Sequence, residues 1–234
     1  MKGTLYGVGV GPGDSELITL KAVRRIQECD IIGIPAKEAD SCVAYQIARK
    51  AVPEIESKPV LAVPVPMAMK PEVLDAAYDA GGEKIIEELD KGKKIAFLNL
   101  GDPTIYGSYM ELHSRVSAAG YQTEIVNGVP SFCAVAAKLE IALGSRGEEI
   151  HILPARYHIQ EMETLHGTKV LMKSAGKTEE IKEKLLALEE KGEIKAYAVT
   201  NCGMEQEVVW KEIRNLEEEA GYFTTIIVQE IRGF

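Results

Sequence analysis

No apolar run in the 234-residue chain reaches the roughly 20 residues that a membrane-spanning helix requires. The first residues, Met1 to Tyr6, enter a strand-like pattern at once. They leave no room for a signal peptide, and a cytoplasmic location is the expectation. Cysteine is scarce. Cys29, Cys42, Cys133 and Cys202 form no C-x-x-C pair, and no histidine sits at metal-ligand spacing from them. Neither a disulfide framework nor a protein metal site is expected, and the four thiols read as small buried hydrophobes. Positive charge is also short: 27 Lys and Arg face 36 Asp and Glu, for a net charge of -9. With no basic stripe to meet a phosphate backbone, nucleic acid is excluded as a partner. An anionic small substrate would need locally placed cations, because the global field repels it. Internal repeats and low-complexity tracts are absent too.

What is present is an alternation. With 46% hydrophobic and 27% charged residues the chain has the make-up of a globular enzyme able to bury a core. Leu5–Val10 reads as a strand, followed by a cap at Asp14 or Ser15 and helical spacing over Leu17, Ile18, Leu20, Val23 and Ile26. Strand 30–34, helix 41–52 and a strand near 60–63 follow. Pro71 opens a helix that the pair Gly81-Gly82 is expected to break or kink. Strand 95–100 and helix 108–119 with Gly120 as its C-cap complete a pattern that indicates a mostly parallel α/β sheet, and a strand at 123–127 comes after it. A helix then runs on to Leu143. Beyond it strands near 150–153, 168–173, 195–200, 207–213 and 223–230 are separated by fewer helices. The last two are expected to pair as antiparallel neighbours in a mixed sheet. The amphipathic segment 177–191 reads as a helix with a solvated charged face. The expectation is an α/β protein of two domains, 1–122 and 123–234.

Two glycine-marked loops carry the chemical signal. Gly7-Val8-Gly9-Val10-Gly11-Pro12-Gly13-Asp14 fits neither frame of a G-x-G-x-x-G dinucleotide fingerprint and lacks the Gly-Lys-Ser/Thr of a P-loop. What remains is a loop whose backbone can approach a neighbour closely. Gly101-Asp102-Pro103-Thr104-Ile105-Tyr106-Gly107 follows a buried strand, and the carboxyl ends of parallel strands are where open α/β sheets bind ligands. The Asp102 carboxylate can cap its own loop or meet a cationic ligand, and Tyr106 lies within reach of the same region.

These segments carry a family resemblance. Val8 to Asp14, with Leu17, Thr19 and Ala22 after it, resembles the opening signature of the tetrapyrrole (corrin/porphyrin) methylases. Gly101 to Gly107 resembles their G-D-P-x-x-Y-G signature. Asn127-Gly128-Val129-Pro130-Ser131 is similar to the third, with Asn127 where proline is usual. The resemblance covers essentially the whole chain. Thr4 to Gly9, Ile34-Pro35-Ala36 with Ser41, and Asn99 to Pro103 bring it nearest to the precorrin-2 or cobalt-factor II C20-methyltransferases.

The resemblance implies a two-domain fold with S-adenosylmethionine bound between the domains, largely through backbone groups, and S-adenosylhomocysteine as product. Carried over by motif, the cofactor contacts are Pro12, Leu100, Gly101, Asp102, Ile105, Tyr106, Pro130, Ser131, Met172, Ala198 (or its neighbour Tyr197) and Thr225. Taken singly, Ile105, Met172 and Ala198 read as core. No general base is identified; Asp102 and Tyr106 are weak candidates for a catalytic role. The implied substrate is a tetrapyrrole with multiple carboxylates, with any cobalt arriving inside the macrocycle. Lys37, Lys70, Arg115 and Arg156 are the cations placed to meet it, although each also reads as a surface charge. A homodimer is implied as well, with the stretch Ala62 to Met69 as a contact surface.

Overall fold

The computed structural model describes residues 2–66, 70–155, 159–218 and 220–231, with Ile159 by its backbone alone. The chain divides into two units, Met1–Pro130 and Ser131–Phe234.

In the first unit the described strands form one parallel sheet in the order β3-β2-β4-β1-β5. They are β1 (Thr4–Gly9), β2 (Ile31–Ile34), β3 (Val60–Ala62), β4 (Lys94–Asn99) and β5 (Gln122–Val126). Helices cover both faces. Ala22 and Ile26 of α1 (Leu20–Glu28) and Ile47 and Ala48 of α2 (Val43–Ala51) pack on Val8, Ile32, Ala96 and Leu98. Ile85 and Leu89 of α3 (Pro71–Asp90) and Leu112 and Val116 of α4 (Tyr109–Ala118) pack on Leu5, Ile95 and Phe97. Burial on both faces explains why β2 and β4 read as continuous apolar runs.

Because β5 pairs with β1, the division falls at Pro130 and Ser131 and not at 122 and 123. Two local readings also change. Asp14 caps only a short 3-10 turn, Ser15–Leu17, and α1 starts later behind its own cap, Thr19, whose hydroxyl accepts from the Ala22 N–H. Gly81 and Gly82 do not break α3, which runs through both. A Cβ at Gly81 would lie 2.4 Å from Cγ1 of buried Val63, so this glycine permits close packing, while at Gly82 the nearest atom, in Arg115, is 3.7 Å away.

The second unit holds a mixed sheet in the order β6-β7-β10-β8-β9. Its described strands are β6 (Ile150–Pro154), β7 (Thr168–Met172), β8 (Ile194–Thr200), β9 (Val208–Trp210) and β10 (Thr224–Glu230). The expected pairing of the last two strands does not form: β10 lies between β7 and β8, antiparallel to both, and β9 pairs with β8. The reason lies in composition. Thr224 to Val228 is buried throughout, as befits a central strand, whereas β9 has three residues and exposes Val208. Helix α5 (Ser131–Leu139) packs on one face through Val135 and Leu139 against Val199 and Ile227. Helix α6 (Thr178–Glu190) packs on the other through Ile181 and Leu185 against Leu171, Ala196, Ala198 and Ile226. Cys29, Cys42 and Cys202 are buried as expected, but Cys133 on α5 is exposed. Among the described residues no helix is long and apolar enough to cross a membrane.

The two glycines of α3 make a paired prediction. Gly82→Ala removes an entropic cost in a helix interior and raises stability by about 0.5–1 kcal/mol. Gly81→Ala overpacks the Val63 contact and lowers stability by about 1–3 kcal/mol. Denaturant midpoints of the two variants check the opposite signs.

Candidate functional site

Strand order sets the site. The three motif loops follow β1, β4 and β5, and these strands are adjacent in the first sheet as β4-β1-β5, so their carboxyl ends lie side by side. There the loop backbones touch. Gly11 and Gly101 form an antiparallel bridge, with the Gly101 N–H donating to the Gly11 carbonyl at 2.8 Å and the Val10 N–H donating to the Asn99 carbonyl at 2.9 Å. A Cβ on Gly128 would lie 2.1 Å from the Gly101 carbonyl oxygen, and one on Gly9 would lie 2.6 Å from the Gly128 nitrogen. Glycines of the three motifs therefore serve one another: they let three backbones meet where side chains would hold them apart. Gly7 has a different neighbour. Its missing Cβ makes room for the ring of Tyr109, whose hydroxyl donates to the Glu124 carbonyl at 3.0 Å.

Asp102 fastens the junction. The residue is buried, only 5% exposed. Oδ1 accepts from the backbone N–H of Thr104 at 2.8 Å and from its hydroxyl at 2.6 Å. Oδ2 accepts from the Asn127 side-chain amide at 3.1 Å and from the Gly128 N–H at 3.0 Å. Burial pushes its pKa up, but these four hydrogen bonds outweigh burial and hold it below the ordinary carboxylate range. With the four lone-pair sites of an ionised carboxylate all used, Asp102 has none left to receive a substrate proton. The geometry makes it a cap on its own loop through Thr104 and a brace to the third loop through Asn127 and Gly128.

Other residues of the second loop are displayed. Tyr106 adopts a left-handed backbone, φ 53°, costly for a non-glycine residue, and stands 45% exposed. Desolvation raises its phenol above the ordinary value, which keeps it protonated at neutral pH and unsuited to be a general base. Pro12 and Gly101 are buried, while Leu100, Ile105 and Pro130 are half-buried.

In the second unit the strand register sorts the remaining candidates. The Ser131 and Thr225 hydroxyls approach to 3.4 Å. Pairing of Ile226 with both Leu171 and Ala198 places these three on the α6 face. Alternation then puts Met172, Thr225 and Tyr197 on the α5 face, with Ser131 at the start of α5. Ala198, fully buried and packed in the α6-side core, is set apart from the others; of the two registers the sequence left open, Tyr197 joins the group.

The model of the tetrapyrrole (corrin/porphyrin) methylases matches residues 4–217. The chain belongs to this family. A probable cobalt-precorrin-2 C(20)-methyltransferase from Methanocaldococcus jannaschii is 30% identical over 97% of this chain and 96% of its own length. A precorrin-2 C(20)-methyltransferase from Sinorhizobium sp is 29% identical over 97% of this chain and 95% of its own. The fold is shared with the crystal structure of uroporphyrin-III C-methyl transferase from Thermus thermophilus complexed with S-adenyl homocysteine. That comparison gives a TM-score of 0.66 at 20% identity, covering 97% of each chain.

Among the cations of this tetrapyrrole methylase, Arg115 is already committed. Its guanidinium pairs with Asp75, Asp79 and Glu111 and lies over the Tyr78 ring. It knits α4 to α3 and has little left for a substrate carboxylate. Lys37, in the segment after β2, is exposed and forms no ion pair among the described residues. Lys70 is exposed, and its carbonyl accepts from the first turn of α3. Arg156 lies outside the described residues, as do Met67, Ala68 and Met69 of the expected contact stretch.

Two residues escaped the sequence reading. The signal for Asn127 was its departure from the third motif, which now has a partner in Asp102. Lys173, directly after Met172, has φ 56° and a pKa lowered by burial, and no sequence pattern marks such a backbone.

Replacing Asp102 gives a signed pH test. A carboxylate whose pKa is depressed on folding stabilises the fold above its unfolded value, and that stability is lost as pH falls through the folded value. Asp102→Asn sets amide hydrogens against N–H donors and lowers stability at neutral pH by about 1–3 kcal/mol. The gap to wild type closes as pH falls below about 3.9, the unfolded value. Chemical denaturation of both proteins across the acid range measures it.

Proposed function

We propose that the chain transfers a methyl group from S-adenosylmethionine to C20 of a precorrin-2-type tetrapyrrole in cobalamin biosynthesis. The observation that carries this reading is end-to-end similarity, 97% of this chain on 96% of its length, to a relative named for C20 methylation. The residues suit a cationic methyl donor. Asp102 keeps its negative charge while buried, and its neighbours are hydrogen-bond donors without an ion pair among the described residues. Such a charge favours a nearby cation.

In this reading Pro12, Leu100, Gly101, Ile105, Tyr106, Pro130 and Ser131 contact the donor, along with Met172, Thr225 and Tyr197. Asp102 contributes its field and its grip on the loop, and Ala198 is left to the core. The bound donor would supply an electrophilic methyl, with C20 taking the methyl, the electron pair of the sulfonium–methyl bond staying on sulfur, and the C20 proton passing to solvent water. A meso carbon is already nucleophilic, so the protein's task is alignment, which carries much of the rate in such reactions. Rigid loop backbones serve that task better than mobile side chains. Lys37 and Lys70 are the cations proposed for substrate carboxylates, and cobalt belongs to the substrate. A cytoplasmic homodimer completes the reading, its oligomeric state open to light scattering.

The test is incubation of purified protein with S-adenosylmethionine and either precorrin-2 or its cobalt form. A mass gain of one methyl, located at C20 by NMR, is expected on one or both. No gain on either substrate overturns the proposal, and a methyl at another ring carbon redirects it to a different position of the macrocycle. Lys37→Ala is expected to raise KM for the tetrapyrrole severalfold while leaving KM for the methyl donor unchanged.

A further inference from the structure

We propose that Asn127 is a positioning residue that sets the spacing of the three loops for the methyl donor, an inference resting on the methyltransferase reading above. Asn127 directly follows β5. Its side-chain amide donates to Oδ2 of Asp102 at 3.1 Å, on the same oxygen that accepts the Gly128 N–H at 3.0 Å. Nitrogen faces the carboxylate because the amide oxygen there would meet a negative charge. On its other side, the Asn127 carbonyl accepts the Thr19 hydroxyl at 3.4 Å, and Thr19 caps α1 by accepting from the Ala22 N–H at 3.1 Å. Asp102 continues the path to the N–H and hydroxyl of Thr104.

One chain of hydrogen bonds therefore runs from the start of α1 through Asn127 and Asp102 into the second loop. It links the segments that follow β1, β4 and β5. Asp102, Thr104 and Gly128 stand within two residues of Gly101, Ile105, Tyr106 and Pro130, four of the residues proposed to hold the donor. The Asn127 amide is the link a substitution can remove without touching the backbone. Its side chain is exposed, and Asp102 retains three other donors, the Gly128 N–H among them, so the fold tolerates the loss while the hold between the second and third loops loosens.

The experiment measures S-adenosylhomocysteine affinity by calorimetry on intact wild type, Asn127→Ala and Asn127→Asp, with thermal unfolding of each. Asn127→Ala is expected to unfold within a few degrees of wild type yet bind about fivefold or more weakly, the effect of one charge-assisted hydrogen bond. Asn127→Asp sets two carboxylates against each other, and such a pair resists ionising together. At alkaline pH its affinity falls below that of Asn127→Ala. As pH drops toward about 5 a shared proton rebuilds the bond and affinity returns toward wild type. General damage to the fold does not mend on acidification, so this recovery isolates positioning even where the alanine variant is unstable. Affinities within twofold of wild type for both variants, or an aspartate variant with no recovery, overturn the inference alone. Wild type failing to bind S-adenosylhomocysteine overturns the methyltransferase reading, and the inference with it.

Discussion

Three loop backbones meet at the carboxyl edge of the first sheet, and the rest of the site depends on that contact. A methyl group on Gly128 would stand 2.1 Å from the Gly101 carbonyl oxygen, far inside any tolerable separation. The contact is possible only because β4, β1 and β5 are neighbours, and that order requires the chain to cross from β4 over β1 to reach β5. Such reversals of strand order are where open α/β sheets form ligand crevices. Backbone packing, the Asp102 brace and the sheet topology are thus one arrangement seen at three scales.

Charge follows a similar logic. The chain carries a net charge of -9, and much of its positive charge is spent on structure. Arg115 ties α4 to α3, Arg25 pairs with Glu28 and Glu124, and Lys58 donates to two carbonyls, those of Gln27 and Cys29. An anionic substrate would therefore depend on cations outside these contacts, such as Lys37 and Lys70, which form no ion pair among the described residues. Asp102 is the converse case, a buried carboxylate stabilised by dipoles and not by a cation. That solution keeps a negative charge at the loops without filling the space beside them.

The second unit shows how a sheet chooses its centre. β10 comes last among the strands, yet it lies in the middle because both its faces are apolar enough to be covered. Once it is there, the register places Met172, Thr225 and Tyr197 on the face that carries α5 and leaves Ala198 on the other.

The sequence by itself determined the alternation of strands and helices, the parallel character of the first sheet and the three loops that matter. Periodicity and turn chemistry are local, and they survive folding intact. It also marked Asp102, whose bond to the Thr104 N–H two residues on is a local turn. What escaped it was everything set by long-range pairing. Strand 122–126 joined the first sheet because β1 had a free edge, and α3 ran through two glycines because Val63 needed the space beside one of them. Arg115 was withdrawn from the substrate by carboxylates 36 and 40 residues away. The motif glycines were legible as places where something comes close. Only the tertiary structure decided that what comes close is another loop of the same chain, since backbone-to-backbone distance depends on which strands are neighbours.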